Sequence, residues 1–257
     1  MARGTAKVTT SAAPPAAASI SAGEAEFFGK LAADWWNPKG SSAMLHWITP
    51  VRSAFIRDTA AAHFGREPRQ RRPFTGLSAL DIGCGAGLQA EPLARMGFAT
   101  TGIDAAPENI AAASAHAART GLAIDYRASS VEALAGTGAR FDLVTCLEVV
   151  EHVADRDAFF AALAAMVAPG GLAILSTPNR TALSWTVLIA GAEILTRQIP
   201  RGAHDWERFM TPPELAEALT NAGLTVGETR GLSWRPGEGF AMSRDESVNY
   251  FITATRG

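Results

Sequence analysis

Apolar residues recur along this chain with two periods, and the change from one to the other divides it. Across residues 24–72 the spacing is near-helical, with Phe27, Phe28, Leu31, Trp35 and Trp36 within reach of one face. Asn37-Pro38-Lys39-Gly40 ends that pattern, and a second helix is predicted over 50–63. The stretch 66–73 carries four arginines and two prolines, and reads as a solvated loop rather than an anion-binding patch. From residue 77 onward, short apolar runs alternate with amphipathic ones. Strands are predicted at 77–82, 99–103, 123–127, 141–146 and 172–177, with helices at 88–96, 107–119 and 155–167. Such alternation builds a doubly wound, mostly parallel α/β sheet. Thr211 and Pro212 open one more helix, running to Asn221. Two last strands, 224–229 and 248–255, have no helix between them and should pair antiparallel. The expected sheet therefore has seven strands, mostly parallel, one of them reversed.

This pattern gives three parts. Residues 1–23 are rich in Ala, Ser, Thr and Pro, with Glu24 the first acid, and are expected to be a disordered tail. A mitochondrial transit peptide is the alternative, against which stand the few basic residues and Pro14-Pro15. Residues 24–72 form a helical lid, and 73–257 the α/β domain. Within that domain, 178–210 breaks the alternation as an insertion after the fifth strand, and long insertions in compact domains are usually functional.

Composition narrows the function classes. A net charge of −2 excludes a nucleic-acid binder driven by overall charge. The two cysteines, Cys84 and Cys146, make neither a disulfide framework nor a C-x-x-C zinc site. Free thiols and a cytoplasmic location are expected. No run of 18 apolar residues is present to span a bilayer.

The clearest chemistry lies in the first turn after a strand. Asp81-Ile82-Gly83-Cys84-Gly85-Ala86-Gly87 joins the first strand to a helix, and its glycines let a ligand approach the backbone. The spacing is G-x-G-x-G, not the G-x-G-x-x-G of a dinucleotide site, and an acid precedes it. A nicotinamide oxidoreductase is therefore disfavoured. S-adenosylmethionine has no phosphate and a cationic sulfonium, which a nearby carboxylate suits. Asp104, at the end of the second strand, is placed to accept hydrogen bonds from ribose hydroxyls.

The glycine turn, Asp104 and Pro169-Gly170-Gly171 resemble class I S-adenosylmethionine-dependent methyltransferases, which have a Rossmann-like α/β fold. A narrower set is similar to the ubiquinone-biosynthesis O-methyltransferase family. It comprises Trp35-Trp36, Leu45-His46, Pro50-Val51-Arg52, Glu148-Val149-Val150-Glu151-His152, Ser176-Thr177-Pro178-Asn179-Arg180 and Val248-Asn249-Tyr250, and spans about 26–254. Trp47-Ile48-Thr49 and Asn37 depart from the family's usual lid residues. The resemblance implies methylation of phenolic hydroxyls on polyprenylated catechol and hydroquinol rings, at two stages of ubiquinone synthesis. It implies cofactor contacts by Arg52, Gly83, Asp104 and Leu147, alongside Asp81 and Gly85 of the turn. The alternatives are a class I methyltransferase of another small-molecule class, or a non-catalytic cofactor-binding scaffold in a biosynthetic complex.

A phenol of pKa near 10 is about a thousandth ionised at pH 7, a gap of roughly 4 kcal/mol, so something must hold its proton. Glu148, Glu151 and His152 follow the fourth strand at the sheet's carboxyl edge, where ligands of such sheets sit, and their spacings of three and four put them on one face if a helical turn starts there. Three readings stand. The trio binds a divalent cation, Mg²⁺ by the family resemblance. Alternatively His152 is a general base. In the third, two solvated acids stand beside a helix-capping histidine. A polyprenyl substrate also implies contact with a membrane. Residues 183–195 are largely apolar, too short to span a bilayer, contain Trp185 and one acid, Glu193, and are flanked by Arg180, Arg197 and Arg201. They suit either a helix lying on an anionic lipid surface or a packed lid helix.

Overall fold

The computed structural model describes residues 20, 22–29, 34–40, 42–186, 206–235 and 237–257. Helices α1 (Ala22–Gly29) and α2 (Ala43–Phe64) precede β1 (Ser78–Ile82). There follow α3 (Ala90–Arg95), β2 (Ala99–Asp104), α4 (Pro107–Thr120), β3 (Asp125–Ala128), α5 (Val131–Ala135) and β4 (Phe141–Leu147). Next come α6 (Arg156–Met166), β5 (Val167–Pro178), the single turn α7 (Ala182–Ser184) and α8 (Pro212–Asn221). Strands β6 (Thr225–Arg235), β7 (Gly239–Ser243) and β8 (Asn249–Thr255) complete the sheet.

The strand order is β3-β2-β1-β4-β5-β8-β6-β7. β1 to β5 pair in parallel, and β8 runs antiparallel between β5 and β6; the antiparallel β6–β8 pair is the one expected from the lack of a helix between them. The seven expected strands are present, and β7 adds an eighth as a hairpin partner of β6. It was hidden because Gly231 and a register shift between Val226 and Thr229 break the alternation of β6. The strand order reverses between β1 and β4, so a crevice opens at their carboxyl ends.

Period-two alternation sorts each strand between two apolar layers. Leu80, Ile82, Val144, Cys146, Leu175, Tyr250 and Ile252 pack with residues of α6 and α8. Ala79, Leu143, Leu147, Leu172, Ile174 and Phe251 pack on the other face with Ile48, Ile56 and Ala60 of α2. The same alternation puts Asp81, Thr145 and Ser176, polar residues near the strand ends, on the face toward α2.

Helix α2 starts at Ala43 rather than Pro50. Proline costs the helix one N–H, but the buried row Ile48, Arg52, Ile56 and Ala60 carries the helix through it. α8 begins as expected, with Thr211 and Glu214 forming a reciprocal capping box. Both cysteines are buried free thiols, and burial pushes both thiol pKa values up. No described helix is long and apolar enough to cross a membrane. Most of the expected membrane-facing run, together with Arg197 and Arg201, lies outside the described residues.

Candidate active site

The turn after β1 is held from both sides. Gly83 and Gly85 have φ of 66° and 52°, a region that glycine enters without strain. A Cβ on Gly83 would strike Val149, and one on Gly85 would lie 2.5 Å from Cη2 of Trp35. Trp35 thus packs directly on the glycine turn. The Trp36 indole N–H donates to the carbonyl of Ala86 at 3.0 Å, and its ring stacks on His116 with centroids 3.4 Å apart. The His116 ring meets the buried Glu91 at 2.5 Å, and His46 holds the carbonyl of Trp35 at 2.8 Å.

Asp104 ends β2 beside this turn. Its Oδ2 accepts from the amide of Gly85 at 2.9 Å, and its Oδ1 from the amide of Ala106 and the side chain of Asn109 at 2.9 and 3.1 Å. A carboxylate has about four acceptor sites, so about one is left for an incoming hydroxyl. Burial raises its pKa, and these three donors oppose the rise.

Deeper in the crevice, Asp81 is 2% exposed. The hydroxyl of Thr145 donates to its Oδ1 at 2.7 Å, while Oδ2 has no partner. Burial lifts this acid to about 7, against the pull of Thr145 and the positive charge of Arg52. Arg52 comes down from α2 and is 5% exposed, with Nε and Nη2 unpartnered. Burial lowers its pKa, and the charges of Glu148, Asp81 and Glu151 oppose that. Buried N–H donors without partners are costly, so these two can serve an incoming anion. Its free donors and the free oxygen of Asp81 match the carboxylate and ammonium of an amino acid, the group that S-adenosylmethionine carries. Leu147, the last residue of β4, is buried on the same face.

After β4 the chain does not run straight into a helix. Glu148 has φ 56°, the one positive φ outside glycine among the described residues, and only Val150–His152 form a 3-10 turn. Left-handed backbone at a non-glycine residue costs on the order of 1–3 kcal/mol and needs surroundings that impose it. Here the Glu148 amide donates to the Ser176 carbonyl at 3.0 Å, and the Ser176 hydroxyl donates to Oε1 at 2.7 Å. The Asn249 amide reaches Oε1 and Oε2 at 3.2 and 3.1 Å. Glu151 is 2% exposed and accepts from the Thr177 hydroxyl at 3.0 Å, leaving Oε1 free. Burial, then the charge of Glu148, raises Glu151 to about 7, while His152 acts to lower it. His152 itself is half-buried.

These positions correct one expectation. The trio of Glu148, Glu151 and His152 does not share a helical face, and the oxygens of Glu148 are taken by Ser176 and Asn249. Among the described residues no group of three His, Cys, Asp or Glu side chains is disposed to hold a metal ion. The magnesium expectation therefore does not fit the donor set as it stands. Residue patterning also missed the side chains that hold the acids, Thr145, Ser176, Thr177 and Asn249. The last three lie in motifs of the family resemblance, which was the signal available.

A glycine turn, an acid at the end of β2 beside it and a buried guanidinium at the switch point of a doubly wound sheet define a class I S-adenosylmethionine-dependent methyltransferase. Residues 53–229 match the family described as Methyltransferase domain. Solved structures of like fold include magnesium protoporphyrin IX methyltransferase from Synechocystis PCC 6803 with bound SAH. Its TM-score is 0.60 at 19% identity, covering 90% of this chain and 97% of that one. An S-adenosylmethionine-dependent methyltransferase from Clostridium acetobutylicum ATCC 824 has a TM-score of 0.62 at 14% identity, covering 90% and 99%. Sequence relatives are narrower in kind. The ubiquinone biosynthesis O-methyltransferase of Methylobacterium nodulans is 50% identical over 93% of this chain and 96% of its own. That of Mesorhizobium japonicum is 47% identical over 95% and 98%. The chain belongs to the ubiquinone biosynthesis O-methyltransferase family.

Proposed function

We propose that the protein transfers the methyl group of S-adenosylmethionine to phenolic hydroxyls of polyprenylated catechol and hydroquinol rings, at both O-methylation steps of ubiquinone synthesis. The observation that carries this reading is the buried Arg52 guanidinium, its Nε and Nη2 without partners, near the charges of Glu148, Asp81 and Glu151 at the switch point. When bound, S-adenosylmethionine supplies an electrophilic methyl group. Arg52 and Asp81 grip its amino-acid end, Asp104 takes the ribose, and Gly83, Gly85 and Leu147 shape the wall. On the acceptor side His152 removes the phenolic proton, and Glu151 stabilises the imidazolium formed. Glu148, pinned from β5 and β8, holds the turn that presents Glu151 and His152. No step is routed through a metal.

The test is methyl transfer from labelled S-adenosylmethionine to a short-tailed catechol, with and without exhaustive chelation. A mono-O-methylated product whose formation survives chelation is the expected result. A protein that binds S-adenosylhomocysteine yet methylates no catechol refutes the acceptor assignment. Activity abolished by chelation and restored by Mg²⁺ refutes the metal-free base.

The acceptor's tail makes the enzyme peripheral to a membrane in this reading. Its support is a set of exposed apolar side chains on elements at the site's edge: Trp47, Leu183, Trp185 and Trp234, 52, 48, 47 and 61% exposed. Pelleting with neutral and anionic liposomes tests it. Equal recovery in the supernatant, or no effect of Arg197→Glu with Arg201→Glu, counts against it.

A further inference from the structure

A groove of about 800 Å³ runs between α2 and the β6–β7 hairpin, outside the cofactor crevice. Its volume falls within the range of ligand sites. On α2 it extends from Pro50 to Ala62, which at the rise of a helix is about 18 Å. Val51, Ala54 and Phe55 line one wall, and Met242 the other.

Two features tie the groove to the reacting centre. Val51 is the neighbour of Arg52, so the upper end of the groove lies beside the stretch of α2 that enters the crevice. Phe55 packs edge-to-face on Phe251 with ring centroids 5.2 Å apart. Phe251 pairs in register with Ser176, whose hydroxyl holds Glu148. The groove thus leads away from the acceptor side, along the same face of the sheet.

Its charges are already neutralised. Arg230 meets Glu228 at 2.5 Å, and Asp58 meets Arg57 at 2.8 Å. The charged side chains Asp58, Glu228 and Arg230 are thus paired and lie with Thr59 in the lower part of the groove, while the upper wall, from Val51 to Phe55 with Met242, offers carbon. The ligand that fits is a neutral hydrocarbon chain attached to something seated in the crevice.

The geometry points to this groove as the site of the acceptor's polyprenyl tail. This rests on the acceptor class proposed above. The tail lies along α2 from Val51 toward Ala62, with Ala54, Phe55 and Met242 as its contacts. Binding energy from this remote part of the substrate fixes the ring's position at the methyl donor.

The test compares kcat/KM for a catechol without a tail and for the same ring bearing one, two or three isoprene units. It is run on wild type, Ala54→Trp and Met242→Trp at one fixed detergent concentration. Affinity for S-adenosylhomocysteine, unchanged in both variants, reports that they are folded. Wild type should gain at least tenfold from the bare ring to the three-unit ring. Both tryptophan variants should lose that gain while turning over the bare ring within twofold of wild type. Variants that keep the full gain overturn the groove assignment alone, as does a wild type indifferent to tail length. A wild type that binds the cofactor product but methylates none of the rings overturns the acceptor reading, and the groove assignment with it.

Discussion

Removing the charge of Arg52 is the sharpest probe of the cofactor site. The side chain is 5% exposed with two unpartnered nitrogens, so Arg52→Met keeps most of the volume and deletes the donors. A bidentate grip on a carboxylate is two charge-assisted hydrogen bonds, each about 1.5 kcal/mol at the low end. Their loss, about 3 kcal/mol, is roughly a hundredfold in Kd. Arg52→Lys keeps the charge without the planar fork and should lose about tenfold, half of that energy. The assay is calorimetry with two ligands, S-adenosylhomocysteine and 5′-methylthioadenosine. The second has the ribose and base but no amino-acid group. It should bind wild type and Arg52→Met alike. If both ligands weaken equally, Arg52 shapes the crevice rather than gripping the carboxylate. If neither weakens by more than threefold, the assignment is wrong.

Three further outcomes follow from the same geometry. Asp104→Ala strands the Gly85 and Ala106 amides and removes the ribose acceptor, so both ligands should weaken together by about 1–3 kcal/mol in calorimetry. Glu148→Ala, Glu151→Ala and His152→Ala should each lower turnover at least about a hundredfold, with S-adenosylhomocysteine affinity within threefold of wild type; near-normal turnover in any of them removes that residue from the acceptor side. Asp81 and Glu151 are raised to about 7 from ordinary values of 3.8 and 4.5, so between about pH 4 and 7 the native state binds more protons there than the unfolded one. Their contribution to stability therefore falls as pH rises through that window. The ligand-free melting temperature should fall accordingly, and Asp81→Asn with Glu151→Gln should flatten the decline; an unchanged slope would contradict the burial of these acids.

How much of this was legible in the sequence follows the distance between partners. The glycine turn is a local motif, and its strand and helix neighbours are short-range too. Asp104 was readable because strand ends in an alternating α/β chain collect at one edge. The capping box of Thr211 and Glu214 spans one helical turn and needs nothing else. The support of the acids is another matter. Glu148 finds Asn249 101 positions away, and Asp81 finds Thr145 64 away. No periodicity links such pairs. The backbone reversal at Glu148 is imposed by those distant partners, so spacing alone suggested a helical turn. β7 escaped notice because a glycine and a register shift blurred the strand beside it. Pro50 misled in the other direction, since tertiary burial of its neighbours outweighs its local preference.

The reversed strand β8 has a consequence for how the molecule is made. It lies between β5 and β6, so the sheet has a gap until the strand synthesised last of the eight is slotted in. Pairings of such long sequence separation form late and slowly. During synthesis, a chain that has emerged only as far as β7 has its glycine turn, Asp104 and Arg52, but lacks Asn249, the residue that pins Glu148. A nascent chain of that length is expected to be able to take up nucleoside before it can turn over acceptor. The strand that closes the sheet is thus also the one that brings Asn249 to Glu148.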